Sequence, residues 1–465
     1  MTASIMMDKP KSFLRWREIP ASIWALGLVS LLMDVSSEMI HALLPLYLVG
    51  VLGASTLTVG VIEGIAEATA SIMKIFSGAL SDYLGKRKLL AALGYGLAAL
   101  TKPIFPLAPD VGWLTAARFV DRLGKSIRGA PRDALIADLS PSELRGASFG
   151  LRQSLDTVGA FLGPLLAMLL MLLTANQFTL VFWIAVAPAF LSVAVIIFGV
   201  SEPDRPAAQP VRNPLRRAEL ARLGRAYWTV VGIATLFTLA RFSEAFLLLR
   251  AQSVGLSVAL VPAVMVVMNV VYAMAAWPAG ALSDAVGRFG VMTAGFGLLV
   301  AADLALAFAH NIAWVGIGVA LWGLHMGLTQ GLLAALVADA APAALRGTAF
   351  GMFNLVTGLA MLVASIVAGA LWDLAGPRAT FLAGAGLTAI ALIALALARG
   401  KIGPAARSET LSRPRRCRDP GTCQNRTERA PTAWDSFGVH GPCIIGVTRR
   451  RGKCRSWFRF CWYWA

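Results

Sequence analysis

Asp34, Glu38 and His41 recur at intervals of four and three residues inside an otherwise apolar stretch. That spacing sets all three along one face of a helix. Glu63 and Glu67 stand four residues apart in the next apolar stretch, and Arg152 and Asp156 do the same further on. The densest set is Arg118, Asp121, Lys125, Arg128 and Arg132, a stripe at alternating intervals of three and four, with Arg122 and Asp133 beside it. In the second half of the chain Arg241, Glu244 and Arg250 are the main counterparts. A carboxylate held in an apolar medium can carry a proton near neutral pH, because burial disfavours its charged form. A neighbouring arginine pulls the other way, so such clusters suit proton exchange and the holding of a charged solute.

The elements that must position these groups are membrane spans. Hydrophobic residues make up 57% of the 465-residue chain and charged ones only 14%, with a mean hydropathy of +0.69. A spanning helix needs about 20 mostly apolar residues, and about twelve such runs follow one another between Ile19 and Ala398. They cover 20–50, 57–81, 88–107, 111–138, 144–174 and 177–200, then 226–254, 258–283, 289–309, 312–339, 345–373 and 378–398. The first follows Lys9, Lys11, Arg15 and Arg17 but contains Asp34, Glu38 and His41 and lacks a small-residue cleavage site, so it reads as a retained helix and not a signal peptide. The expected fold is an all-α polytopic membrane protein. A charge at membrane depth costs at least about 2.5–3.5 kcal/mol on insertion scales, so the charged stripes must face a partner or a watery cavity.

Lysine and arginine alternate along the chain. The N-terminus, Lys86-Arg87-Lys88, the Arg145 loop, the central linker and the Arg288 and Arg346 loops are basic, while the loops around Gly53, Ala175, Ser253 and Asn311 carry almost no charge. By the positive-inside rule both termini are expected in the cytoplasm, with the protein in a bacterial-type inner membrane. The net charge of +17 therefore speaks of topology before nucleic acid, and no nucleic-acid partner is expected. Residues 401–465 contribute +10 of it, from 14 basic and 4 acidic residues, and hold all five cysteines. Arg-rich, low in periodicity and without Cys-x-x-Cys, this tail reads as disordered. The membrane body has no thiol, three scattered histidines and no phosphate-binding glycine loop, which argues against an enzyme, a metal site or a cofactor. Trp24, Trp113 and Trp314 near helix ends read as interfacial anchors, and Asp303 and His325 as satisfied core groups.

The chain repeats itself. GALSDYLGKRK at 78–88 returns as GALSDAVGRFG at 280–290, and ALIADLSPSELRGASFG at 134–150 returns as ALVADAAPAALRGTAFG at 335–351. Between them, residues 202–225 carry four prolines and six arginines and break the apolar pattern. Duplication is the economical explanation: an N-terminal six-helix bundle over 1–201, a cytoplasmic linker over 202–225, a C-terminal six-helix bundle over 226–400 and the tail over 401–465. Repeats of this kind let two bundles rock about a midplane site.

The loop GALSDYLGKRK between the second and third helices resembles the signature loop of the major facilitator superfamily, with a weaker copy between the eighth and ninth. The resemblance covers roughly residues 15–400. It implies about twelve transmembrane helices in two pseudo-symmetric bundles, and a conformational latch made of Gly78, Asp82, Gly85, Lys86, Arg87 and Asp138, with Arg145, Asp284 and Arg346 from the repeated segments. Asp82 would sit near the start of the eleventh helix, and the loop bases would pair with an acid ending the fourth, Asp138. Gly159-Ala-Phe-Leu-Gly163-Pro164 in the fifth helix resembles the family's antiporter motif, in which small residues permit close packing and proline bends the helix. Arg118 matches the family's intramembrane arginine, whereas Asp121 and Arg122 stand where Gln and Gly are usual.

Two readings of the buried charges compete. Arg128, Arg132 and Asp133, near the cytoplasmic end, read as structural ion pairs; Asp34, Glu38, Glu63 and Arg118 lie deeper and read as functional. The proton-coupling and substrate set is then Asp34, Glu38, His41, Glu63, Glu67, Arg118, Asp121, Arg122, Arg152, Asp156, Arg241 and Glu244, with the protonation site at Asp34 or Glu38 and Arg118 tuning it. The function expected is a monomeric, proton-coupled carrier exporting a small solute. A membrane-embedded enzyme and a transport-dead sensor on the same fold are the alternatives, and the sign of the solute's charge stays open.

Overall fold

The computed structural model describes residues 18–84, 86–141, 144–201, 222–342 and 345–402; the side chains at 78–84, 277, 281, 284–286, 346–347 and 399–402 are also outside that description. The tail beyond Ile402, most of the linker, Gly85, and the side chains of Asp82, Asp284 and Arg346 therefore lie outside the described residues.

In chain order the helices are α1 (Ala21–Gly50), α2 (Thr56–Leu84), α3 (Arg87–Thr101, with a further turn at Ile104–Leu107), α4 (Val111–Leu139), α5 (Arg145–Leu173) and α6 (Phe178–Gly199). The second half gives α7 in two pieces (Arg225–Ala240 and Ala245–Ser253), α8 (Ala263–Val286), α9 (Arg288–Ala307) and α10 (Ile312–Ala340). The last helical stretch, Arg346–Ile402, is interrupted at Gly376, whose φ of 82° lies where a side chain is strained. Pro377 follows, at a position where a helix can start without its missing N–H. The interruption divides the stretch into α11 (346–375) and α12 (377–402). Nine stretches among the described residues are long and apolar enough to cross a membrane, the last of them 51 residues long. Its division, together with α2 and the charge-striped α4, makes twelve, as expected from the sequence.

Packing follows the repeat. In the first half α1 lies against α5 and α6, and α4 against α2 and α3; in the second, α7 lies against the 346–402 stretch and α10 against α8 and α9. The halves meet along α2 with α11 and along α5 with α8, pairs that exchange under the same two-fold relation. Glycines permit the first of these seams: Gly64 abuts Leu362, and Gly358 abuts Ser71. One buried apolar core runs through both halves. A second, including Ile23, Leu26, Tyr95 and Leu135, belongs to the first half alone.

The duplication extends to individual hydrogen bonds. Arg87 Nη1 lies 2.7 Å from Asp138 Oδ2 and donates to the Ala134 carbonyl at 3.1 Å. Arg288 Nη1 makes the same pair of contacts with Asp339 and the Ala335 carbonyl. Asp110 caps α4 by accepting from the backbone N–H groups of Gly112 and Trp113, and Asn311 caps α10 by accepting from that of Trp314. Each residue and its copy are 201 positions apart, from 87 to 288, 138 to 339 and 110 to 311. The Arg87–Asp138 pair joins α3 to α4, so it stiffens one bundle and does not itself bridge the two.

Other contacts do bridge them. Asp373 on α11 accepts from the backbone N–H groups of Thr56 at 3.1 Å and Leu57 at 2.8 Å, and from the Thr56 hydroxyl. A carboxylate from the second half thus caps the first turn of α2, satisfying donors that a helix start leaves open. Asp373→Ala is expected to lower stability by about 1 kcal/mol. An unchanged melting midpoint of the purified protein in detergent would show that the cap contributes nothing.

Candidate functional site

The charged faces of α1, α2 and α4 converge inside the first bundle. Arg118 on α4 donates from Nη2 to Glu63 Oε2 on α2 at 3.0 Å, and both side chains are almost fully enclosed. His41 on α1 stands between two acids. Its Nδ1 is 3.4 Å from Glu38 Oε2, one turn earlier on the same helix. Its Nε2 is 3.4 Å from Glu63 Oε2, near enough for attraction but not aligned as a hydrogen bond. Glu38, His41, Glu63 and Arg118 therefore form one chain of contacts across three helices.

Next to it, Lys102 donates from Nζ to Asp121 Oδ1 at 2.8 Å and to Ser37 Oγ at 2.9 Å, while Arg118 Nη1 lies 4.0 Å from Asp121 Oδ2. Lys102 is a partner that sequence reasoning passed over. It is a single lysine deep in an apolar run, which is the signal that marks such a group. Arg122 pairs with Glu67 at 3.4 Å. Toward the basic end of the bundle Arg128 lies 3.7 Å from Asp34 and over the Tyr95 ring. Arg132 bonds Ser30 at 2.9 Å and neighbours Asp133 and Asp156, the latter also held by Arg152.

The spacing-based grouping of Asp34 with Glu38 and His41 holds for the helix face but not for partners. Asp34 joins the arginines of lower α4, whereas Glu38 and His41 join Glu63. Arg118 sits against Glu63 and Asp121 and not against Asp34 or Glu38. The packing motif explains how α1 is held: a Cβ built on Gly159 would lie 2.9 Å from Asp34 Cβ, and one on Gly163 would lie 2.6 Å from Glu38 Cβ. Only glycine lets α5 press onto α1 at the turns that carry the two acids, and Pro164 follows within the same helix.

A cavity of about 160 Å³ opens between the bundles. From the first half Glu38, His41, Glu67, Arg122 and Lys125 line it; from the second, Glu244 and Asn269 do. Asn269 on α8 donates to the Ala160 carbonyl on α5 at 3.1 Å, tying the two cavity walls. Glu244 and Arg241 lie at the break between the two pieces of α7, where residues 241–243 leave the helix. No ion-pair partner within 4.0 Å is found among the described residues for Arg241, Glu244 or Lys125. Arg250, by contrast, donates to the carbonyls of Leu306 and Ala309 and serves the structure of the second bundle.

Among the latch residues, Gly78 lies in the last turns of α2, Lys86 is exposed, Arg87 and Asp138 are paired as described, and Arg145 is exposed at the start of α5. Trp24, Trp113 and Trp314 turn outward near helix starts. Asp303 and His325 depart from expectation: both are fully buried, yet neither side chain has a hydrogen-bond partner among the described residues. No group of three or more His, Cys, Asp or Glu among the described residues is placed to hold a metal ion.

The family model described as Major Facilitator Superfamily matches residues 26–360 and 245–438. An uncharacterised MFS-type transporter of Methanocaldococcus jannaschii is 35% identical over 385 residues, covering 80% of this chain and 94% of that protein. The inner membrane transport protein YajR of Escherichia coli is 24% identical, with 79% and 81% of the two chains aligned. The multidrug resistance protein MdtH of Photorhabdus laumondii is 30% identical over 143 residues, 30% of this chain and 34% of that one. Among solved structures, that of the nucleoside transporter NupG superposes with a TM-score of 0.69 at 14% identity, covering 81% of this chain and 99% of the other.

Proposed function

This chain belongs to the major facilitator superfamily, and we propose that it is a proton-coupled secondary carrier that exports a small solute by alternating access of the central cavity. It is a multi-pass membrane protein of a transporter family. The observation that carries the proposal is the contact chain running from cavity-lining Glu38 through His41 and Glu63 to buried Arg118.

Around the cavity the acids Glu38, Glu63, Glu67, Asp121 and Glu244 are matched in number by the bases Lys102, Arg118, Arg122, Lys125 and Arg241. One proton added at Glu38 or His41 therefore changes the local charge by a whole unit in a medium that screens poorly. Glu38 is the group that can take it from the cavity. Once neutral, its carboxyl no longer attracts His41, and the histidine is free to lean toward Glu63. A solute leaving and a proton entering would then be alternatives at one site, and closing the bundles around either would carry it across. Asp34, fixed near Arg128 and away from the cavity, is assigned to structure together with Arg132, Arg152 and Asp156. Asp82, Asp284, Arg145 and Arg346 are proposed to regulate closure at the basic end. The alternation of lysine and arginine between loops supports cytoplasmic termini, and the E. coli relative's designation as an inner-membrane protein supports the inner membrane. The short match to a multidrug resistance protein supports export.

Glu38→Gln should abolish accumulation driven by a pH gradient in proteoliposomes loaded with a panel of labelled solutes, while exchange without a gradient continues. Asp34→Asn should retain gradient-driven accumulation. If Glu38→Gln still concentrates solute with the wild-type pH dependence, the proton site lies elsewhere.

A further inference from the structure

The ion pairs of the central cluster leave two cavity-lining charges over. Arg122 has Glu67, His41 has Glu38, and the deeper Arg118 and Lys102 have Glu63 and Asp121. Lys125, from α4, and Glu244, from the break in α7, line the cavity and have neither an ion-pair nor a hydrogen-bond partner among the described residues. They are opposite in sign, they belong to opposite bundles, and they are more than an ion-pair distance from each other. A charge at membrane depth normally faces a partner or a watery space, and here the space is the same for both.

We propose that the cavity takes a zwitterionic solute, its anionic group on the Lys125 ammonium and its cationic group on the Glu244 carboxylate. This rests on the carrier reading above and adds the substrate class. A simple anion would leave Glu244 unmatched, and a simple cation would leave Lys125 unmatched. An amphoteric molecule satisfies both, and by linking α4 to α7 it draws the two bundles together, so that occupancy itself favours closure. The break in α7 fits this role. Residues 241–243 leave the helix, and Glu244 opens the second piece, its carbonyl accepting from the Leu247 N–H at 3.0 Å, so this carboxylate lines the cavity from a joint between two helix pieces. Arg241 lies in the same break but does not line the cavity, so it is not assigned a contact.

The test uses the full-length protein purified in detergent. The probes are amino acids and ω-amino acids of graded length, each compared with its N-acetyl and its carboxamide derivative, and the readouts are thermal stabilisation and binding affinity. Zwitterions should stabilise the protein, and both singly charged derivatives should bind about tenfold or more weakly, the loss expected for one charge-assisted hydrogen bond. Lys125→Met should remove the penalty for losing the carboxylate, and Glu244→Gln the penalty for losing the ammonium. The swapped pair Lys125→Glu with Glu244→Lys keeps the total charge and should bind zwitterions again, which guards against a variant that merely fails to fold. Stabilisation by singly charged or neutral members alone, or zwitterion affinity unchanged in both single variants, overturns the proposal. A panel in which no zwitterion binds while liposomes still transport another class of solute also overturns it and leaves the carrier reading intact. Absence of any solute transport by the wild-type protein would instead remove the carrier reading.

Discussion

Arg118→Met is expected to cost about 3–5 kcal/mol of stability, because it leaves Glu63 as an enclosed carboxylate without its strongest partner. Glu63 is 1% exposed and Arg118 2%, so neither can turn to water for compensation. The remaining neighbour, His41 Nε2, is 3.4 Å from the same Glu63 oxygen and is not aligned to replace a guanidinium. The double variant Arg118→Met with Glu63→Gln removes both charges and should recover most of the loss, since deleting both members of a buried pair is far milder than deleting one. The melting midpoint and the monodisperse fraction after detergent extraction measure both effects. A single variant as stable as wild type would mean that water or a lipid headgroup reaches Glu63, and the enclosed network would have to be abandoned.

Gly163→Leu is expected to be nearly as severe by a different route. The first added carbon alone would stand 2.6 Å from Glu38 Cβ and 3.0 Å from the Val35 carbonyl oxygen, and overpacking of this kind costs about 1–3 kcal/mol. Relief requires α1 to move off α5, which shifts Glu38 and His41 together from their places on the cavity wall. Transport should therefore fall further than stability does. Gly150, on the same helix, has nothing among the described residues within 4 Å of its would-be Cβ, and Gly150→Leu is the matched control. Equal transport rates in the two variants would show that α1 and α5 do not depend on close contact at Gly163.

Much of this architecture is legible in one dimension. Apolar runs of spanning length define the helices, and the two repeated segments define the halves, because both depend only on order along the chain. Partners are another matter. The i, i+4 spacing of Asp34 and Glu38 places them on one face of α1, yet that face meets lower α4 at one end and α2 at the other, and the two acids go to different networks. Lys102 was missed because one lysine has no spacing to read. The split of α7 at Arg-Phe-Ser-Glu contains neither glycine nor proline, so nothing local announces it. Asp373, in turn, becomes a helix cap only when α11 lies alongside α2, which no window of sequence contains. Asp303 and His325 show the converse: burial is legible from their apolar surroundings, but the lack of a partner among the described residues is a fact of three dimensions.

The make-up of α4 also bears on how the protein is made. Arg118, Asp121, Arg122, Lys125 and Arg128 fall within 11 successive residues of that helix, and at about 2.5–3.5 kcal/mol for each central charge the segment could not leave a translocation channel for lipid by itself. Its principal counter-charges are Asp34 on α1, Glu63 and Glu67 on α2, and Lys102 just past the end of α3. All four precede it in the chain, so the ribosome delivers every one of these partners before α4 emerges. The fourth helix can thus enter with every charge of that set but Lys125 already matched by the first three, and vectorial synthesis supplies an order of assembly that a permuted chain beginning with α4 would lack.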